Sequence, residues 1–197
     1  MGGVGSVRGK VLLARLEYVT RRGGPEKVKE VLARLPASDR SVLEGLVLSV
    51  LWYPMPLALR LDDAVAEVLS PGDRDRVFVE MGRTSADVNL AGADRVMLRQ
   101  GDPHHLLRMA PQIYAMYYLA GRRTYERVSD SEAILRTYDA ESVTRTDCLT
   151  VIGWHQRALE LAGAVGVEVE ERRCRSQGAP YCEYHLSWHQ VEGAPPE

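Results

Sequence analysis

The chain has one phenylalanine, Phe78, and three lysines among 197 residues. The remaining 22 of its 25 basic residues are arginines. That bias reads as the composition of a GC-rich bacterial genome before it reads as function. No excess of one charge is present either, with 25 basic against 27 acidic residues and a net charge of −2. A general nucleic-acid binder is thereby excluded, because no surplus of cations is available to meet phosphates. Long apolar runs are missing as well. The most apolar stretch, Val42 to Leu61, is interrupted by Glu44, Pro54, Pro56 and Arg60 and cannot span a bilayer. The start, MGGVGSVRG, lacks an apolar export core. It carries Gly2 and Ser6 of the myristoylation pattern, a modification not expected of a bacterial chain. Residues 1–6 are therefore read as a flexible start and the protein as cytoplasmic. Three cysteines are too few for a disulfide framework and are expected as thiols, metal ligands or a nucleophile. No phosphate loop, dinucleotide fingerprint, catalytic triad or zinc-hydrolase motif occurs.

What is present is 45% apolar residue content, enough for one sizeable core, predicted over residues 7–190 with a disordered tail at 191–197. The first half reads as helices. Pro25 opens one, with Val28, Val31, Leu32 and Leu35 on one face. Ser38 begins a second, running on through Leu51. WYPMP at 52–56 breaks the chain, and a third helix follows through Leu57, Leu61, Val65 and Leu69, closed by Pro71-Gly72. Asp73 caps a fourth, running to about Leu90. Asp102-Pro103 opens a fifth toward Gly121, which Pro111 kinks or splits.

The second half alternates. Strands near 123–128 and 132–138 flank the turn Ser129-Asp130-Ser131. Asp147 is read as the cap of a helix with Val151, Trp154, Ala158 and Leu161 on its buried face. VEVEERRC and CEYHLSW form a closing hairpin around SQGAPY. The predicted fold class is α+β, a helical N-terminal half packed on an antiparallel sheet made mainly by the C-terminal half.

The informative constellation is Cys148, Cys174 and Cys182. Gly178 lies midway between the last two, so a hairpin centred there sets their thiols opposite each other. Cys148 stands at the start of the preceding helix, where the dipole favours a thiolate. Three thiolates and one carboxylate make a closed tetrahedral zinc site. Glu171 supplies the carboxylate in the E-x-x-C pattern, whereas strict strand alternation would instead put Glu170 on the face of Cys174. A bulge at Arg172-Arg173 would decide for Glu171. A cysteine nucleophile is disfavoured, since alternation places His185 on the strand face opposite Cys182.

The stretch GWHQRALELAGAVGVEVEERRCRSQGAPYCEYHLSW resembles the 4-vinyl reductase domain, which also forms the N-terminal sensor of phenol-responsive transcription activators. Those sensors bind zinc at spacings matched here by Cys148, Glu171, Cys174 and Cys182. The resemblance implies the fold shared with haem nitric-oxide-binding domains and small Golgi-tethering subunits. It also implies an apolar pocket between the sheet and the Pro103–Leu119 region, and a homodimer through N-terminal elements. Over nearly its whole length the chain is similar to a paralogous myxobacterial family of about this size without an assigned activity. The pocket His and Trp of the phenol sensors find no counterpart in the helical half, so phenol recognition is not carried over.

The aromatic residues Trp52, Tyr114, Tyr118 and Trp154 are the candidate pocket lining, with core filling as the competing reading. His104-His105 is read as a solvated first turn, because adjacent residues on a helix diverge by about 100°. The functional expectation is a non-catalytic ligand-sensing or signalling domain with a structural zinc ion. It would take a small apolar or aromatic ligand and act through protein partners. An adaptor without a ligand is the alternative, and a tetrapyrrole vinyl reductase a distant third.

Overall fold

The computed structural model describes residues 5–70, 72–140 and 144–191. The chain opens with a short strand, β1 (Ser6–Arg8), and runs into α1 (Gly9–Ala33). That helix is broken at Gly24, which takes φ 72°, so Pro25 opens its second limb as the sequence predicts. Next come α2 (Ala37–Glu44), β2 (Trp52–Pro54) and α3 (Met55–Leu69). Helix α2 stops seven residues short of the expected Leu51, where Gly45 turns extended. WYP is more than a break: it pairs antiparallel with β1, Val7 facing Tyr53. Pro71 lies outside the described residues.

Helix α4 (Arg74–Asn89) is capped by Asp73, whose carboxylate accepts from the Arg76 N–H at 3.4 Å. Asp102 caps α5 (Pro103–Arg108) in the same way, accepting from the His105 N–H at 2.9 Å. Pro111 does split the segment, for it sits in the first turn of a separate α6 (Ala110–Tyr117). Strands β3 (Arg122–Arg127) and β4 (Glu132–Tyr138) make the predicted hairpin. Helix α7 (Arg145–Leu161) follows, then β5 (Ala164–Val165), β6 (Glu168–Arg173), β7 (Cys182–Ser187) and β8 (Gln190–Val191). The N-cap of α7 is Thr144, whose hydroxyl accepts from the Asp147 N–H at 3.2 Å. Asp147 is therefore a first-turn residue rather than the cap. Ser6 and Val191 fall inside strands, against the expected flexible start and tail, and residues 1–4 and 192–197 of those expectations lie outside the described residues.

The main sheet is antiparallel throughout, in the order β3-β4-β7-β6. Its inner face carries Ala133, Leu135, Tyr184 and Leu186, packed against Leu107, Ala110, Val151 and Leu159 from α5, α6 and α7. A second apolar cluster joins α1, α3 and α4 through residues such as Leu12, Leu61, Val65 and Met81. The fold is thus α+β, with the helical half at the N-terminus and the sheet at the C-terminus.

Two devices hold the helices in register. Helices α4 and α7 approach so closely that a methyl group at Gly82 would meet the Thr150 carbonyl, and one at Gly153 would meet that of Val79. Arg15 on α1 donates to Asp62 of α3 at 2.9 Å and to Ser85 of α4 at 2.6 Å, all three side chains being buried. Removing one member of such a pair strands the other charge, so the triad fixes how three helices meet.

Candidate metal centre and interior chamber

The sheet delivers three of the four predicted ligands and α7 the fourth. Along β6 the register runs from Glu171 opposite Tyr184 to Arg173 opposite Glu183, with a bulge between them. That extra residue breaks strict alternation. Glu171 keeps the inner face, as Val169 does opposite Leu186, and Glu170 falls outward, opposite His185. The chain then turns through Arg175–Gln177 and closes at Gly178, whose φ of 89° favours glycine. Cys174 and Cys182 flank this loop, and Cys148 reaches it from the first turn of α7.

All three thiols are buried and free. Cys148 Sγ lies 3.4 Å from Cys174 Sγ and 3.9 Å from Cys182 Sγ. One donor atom from each of Cys148, Glu171, Cys174 and Cys182 lies within 4.8 Å of the others. Tetrahedral zinc with Zn–S bonds of about 2.3 Å needs sulfur–sulfur edges of about 3.8 Å, so the spacing fits that ion. The carboxylate adds a second sign. Arg145 donates to Glu171 Oε2 at 2.6 Å, while Oε1 is buried without a hydrogen-bond partner. A buried carboxylate oxygen without a donor is costly unless a cation meets it. The sulfurs are also supplied with donors: the Arg175 N–H at 3.4 Å from Cys182 and the Ser176 hydroxyl at 2.8 Å from Cys174. The hydrogen bond from Cys148 draws the Cys182 thiol down to about 6, and the same contact with burial pushes Cys148 up.

Beside this centre lies a chamber of about 50 Å³. It is lined by α1, α4, α5, α6 and α7, with Arg123 the one lining residue from the main sheet among the described residues. Tyr114, Tyr118 and Trp154 line it as the sequence suggests. Tyr114 and Tyr118 stack with ring centroids 5.0 Å apart. Trp52 does not line it. It sits on β2 at the outside of the helical layer, with the Arg8 guanidinium 3.9 Å above its ring. The wall is mostly apolar, but it is less a feature of the sheet than expected. Arg15, Ser85, Asn89, Arg123, Thr150 and His155 are in its wall.

The His155 Nδ1–H donates to the Val151 carbonyl at 2.9 Å, leaving Nε2 to accept from Arg123 at 3.4 Å. Burial first, and Arg123 second, lower its pKa to about 3, so the ring is neutral. None of these polar residues stood in a motif, and the abundance of arginine hid Arg15 and Arg123. His104 corrects another expectation. It is buried, accepting from the Tyr125 hydroxyl at 2.8 Å, donating to the Asp130 carbonyl at 3.0 Å and packing edge-on to Trp188. The α5 turn that bears it faces the β3–β4 hairpin rather than solvent.

A family profile described as "Protein of unknown function (DUF2378)" matches residues 47–189. Comparison with curated proteins finds no match. Among solved structures the fold is similar to an H-NOX protein from S. oneidensis in the Fe(II) state, at 15% identity and a TM-score of 0.75, covering 96% of this chain and 100% of that one. An H-NOX protein from K. algicida aligns at 11% identity with a TM-score of 0.72, over 95% of this chain and 100% of that one. An oxygen-binding H-NOX domain related to soluble guanylate cyclases gives 11% identity and a TM-score of 0.68, over 96% and 99%. At these identities the likeness is one of fold.

Proposed function

The chain belongs to the DUF2378 family, and from that premise we propose that it is a non-catalytic ligand-sensing module whose closing hairpin is held by a structural zinc ion. The observation that carries the zinc reading is the orphaned Glu171 Oε1 beside three clustered thiols. Four protein ligands close the coordination sphere, which suits a structural rather than a catalytic zinc. The ion would tie the first turn of α7 to the β6–β7 loop. Helix α7 also supplies Thr150, Val151, Trp154 and His155 to the chamber wall. An occupant pressing on this helix would therefore act on an element whose N-terminus is anchored to the sheet.

The haem named for one H-NOX-like structure does not suit these residues. A chamber of about 50 Å³ falls well short of the roughly 300 Å³ at which sites for small organic ligands begin. Both nitrogens of His155 and of His104 are already hydrogen-bonded, so neither ring offers an axial lone pair.

A second reading, an adaptor or a homodimer built on N-terminal elements, draws on one observation. Leu46, Val50 and Leu119 are 85%, 69% and 63% exposed. Arg8 links this region, contacting the carbonyls of Val50 and Met116. Native mass spectrometry of freshly purified protein separates the readings. One bound zinc ion per chain with a copurified small molecule supports the sensor. A metal-free 22 kDa monomer with no small molecule contradicts it, and Leu46→Glu converting a dimer to a monomer supports the alternative.

A further inference from the structure

The chamber is small, partly open and unevenly furnished. Two polar side chains in its wall are buried and lack partners: the Asn89 amide oxygen and the Tyr117 hydroxyl. Asn89 is 3% exposed and Tyr117 6% exposed. Lys10 donates to the Asn89 backbone carbonyl at 3.0 Å and pairs with Asp94, whose charge also acts on Tyr117. At another part of the wall stands Arg123. Its Nε–H donates to Thr137 at 3.0 Å and its Nη1–H to His155. Among the described residues Nη2 has no hydrogen-bond partner, while the guanidinium lies 4.9 Å from the Tyr114 ring centroid and acts on the buried Asp147 carboxylate. The wall also carries the apolar side chains of Val11, Leu106, Leu107 and Ile113.

A protein that only needed a filled core would gain nothing from this arrangement. Each of these polar atoms costs free energy unless a ligand or water meets it, and apolar residues of the same shape would be as stable or more so. The unmet groups specify what would satisfy them. Asn89 Oδ1 asks for a donor, Arg123 offers one, Tyr117 can do either, and the apolar wall excludes a bulky or fully hydrated solute. A charged carboxylate would bring a full charge into a mostly apolar chamber, at a desolvation cost that a neutral ligand avoids.

Resting on the ligand-sensing reading above, we propose that the chamber binds a small neutral molecule of about three to five non-hydrogen atoms that carries both a hydrogen-bond donor and an acceptor. A short primary amide is the simplest member of that class. Its N–H would meet Asn89 Oδ1 and Tyr117, and its carbonyl would accept from the donors in the wall.

Three isosteric probes decide the class: propionamide, which has donor and acceptor, butanone, which has the acceptor alone, and propionate, which is charged. Binding to the full zinc-loaded chain is followed by amide chemical shifts during titration. Propionamide is expected to saturate with a Kd of about 1 mM, the range such small ligands reach. Butanone is expected to bind at least about tenfold more weakly, the effect of one unmet buried polar group. Asn89→Leu and Tyr117→Phe should each weaken propionamide binding by a similar factor. Both variants should fold with an unchanged or raised melting temperature, because each removes an unpaired polar atom.

Equal binding of butanone, tighter binding of propionate, or propionamide binding unaffected by both variants overturns the proposal. So does the absence of saturable propionamide binding. If phenol binds where propionamide does not, the ligand class is wrong and the sensing reading survives. If neither binds and nothing copurifies, both fall.

Discussion

Single residues in this protein are held by chemistry that a substitution can expose. Cys174 and Cys182 each supply one thiol to the candidate metal centre, so Cys182→Ser leaves an ion with an incomplete shell. We expect it to lose bound zinc and at least about 3 kcal/mol of stability, read by metal analysis and urea unfolding. Retention of a full equivalent of zinc would contradict this.

His155 gives a pH signature. Its folded pKa, about 3, lies below that of a histidine in the unfolded chain because burial and Arg123 disfavour the imidazolium. As pH falls, the unfolded state takes up the proton first. The stabilisation is therefore complete above about pH 6.5 and is lost progressively toward pH 3. Between pH 6.5 and pH 5 the loss should approach about 2 kcal/mol. His155→Asn should flatten that part of the pH–stability profile, and an unchanged slope would remove His155 as its source.

Among the elements, the pairing of α4 with α7 depends on two glycines whose replacement would drive a methyl group into a facing carbonyl. Gly153→Ala should cost about 1–3 kcal/mol or more in denaturant unfolding, while alanine on the solvent side of the same helix should be near neutral. Removing zinc with a chelator should loosen two separated segments together, the first turn of α7 and the loop 174–181. Amide exchange rising in one without the other would argue against a shared anchor.

At this scale much was legible. Pro25, Asp73, Asp102 and Pro111 each act on the backbone locally, so their effects survive in any tertiary setting, and α5 and α6 part where Pro111 dictates. The bulge after Glu171 was foreseeable because the E-x-x-C spacing and strand alternation could not both hold without it. What stayed hidden depends on distant partners. The first limb of α1 carries no proline or side-chain cap to announce it. The WYP strand exists because β1 lies beside it, and His104 is buried because Tyr125 and the Asp130 carbonyl meet it from across the chain. Thr144 outcompetes Asp147 as cap because it already stands one residue before the first turn. The chamber's polar residues come from α1, α4, α6, α7 and β3, and no local pattern joins them.

At the scale of the whole molecule, the thiol cluster lies at one end of α7 and the small chamber along its side. The described helices include none long and apolar enough to cross a membrane. The exposed apolar stretch around Leu46 and Val50 leaves association between copies open to a direct check. Light scattering should give a dimer that Leu46→Glu dissociates if that face is covered in solution.

The central claim concerns the composition of the metal centre, and X-ray absorption at the zinc K-edge of the purified protein tests it most directly. The account predicts three sulfur neighbours at about 2.3 Å and one oxygen at about 2.0–2.2 Å, with one sulfur lost in Cys148→Ser. A first shell containing imidazole nitrogen, or protein that holds less than about a tenth of an equivalent of zinc while all three thiols titrate freely in the native state, would contradict it.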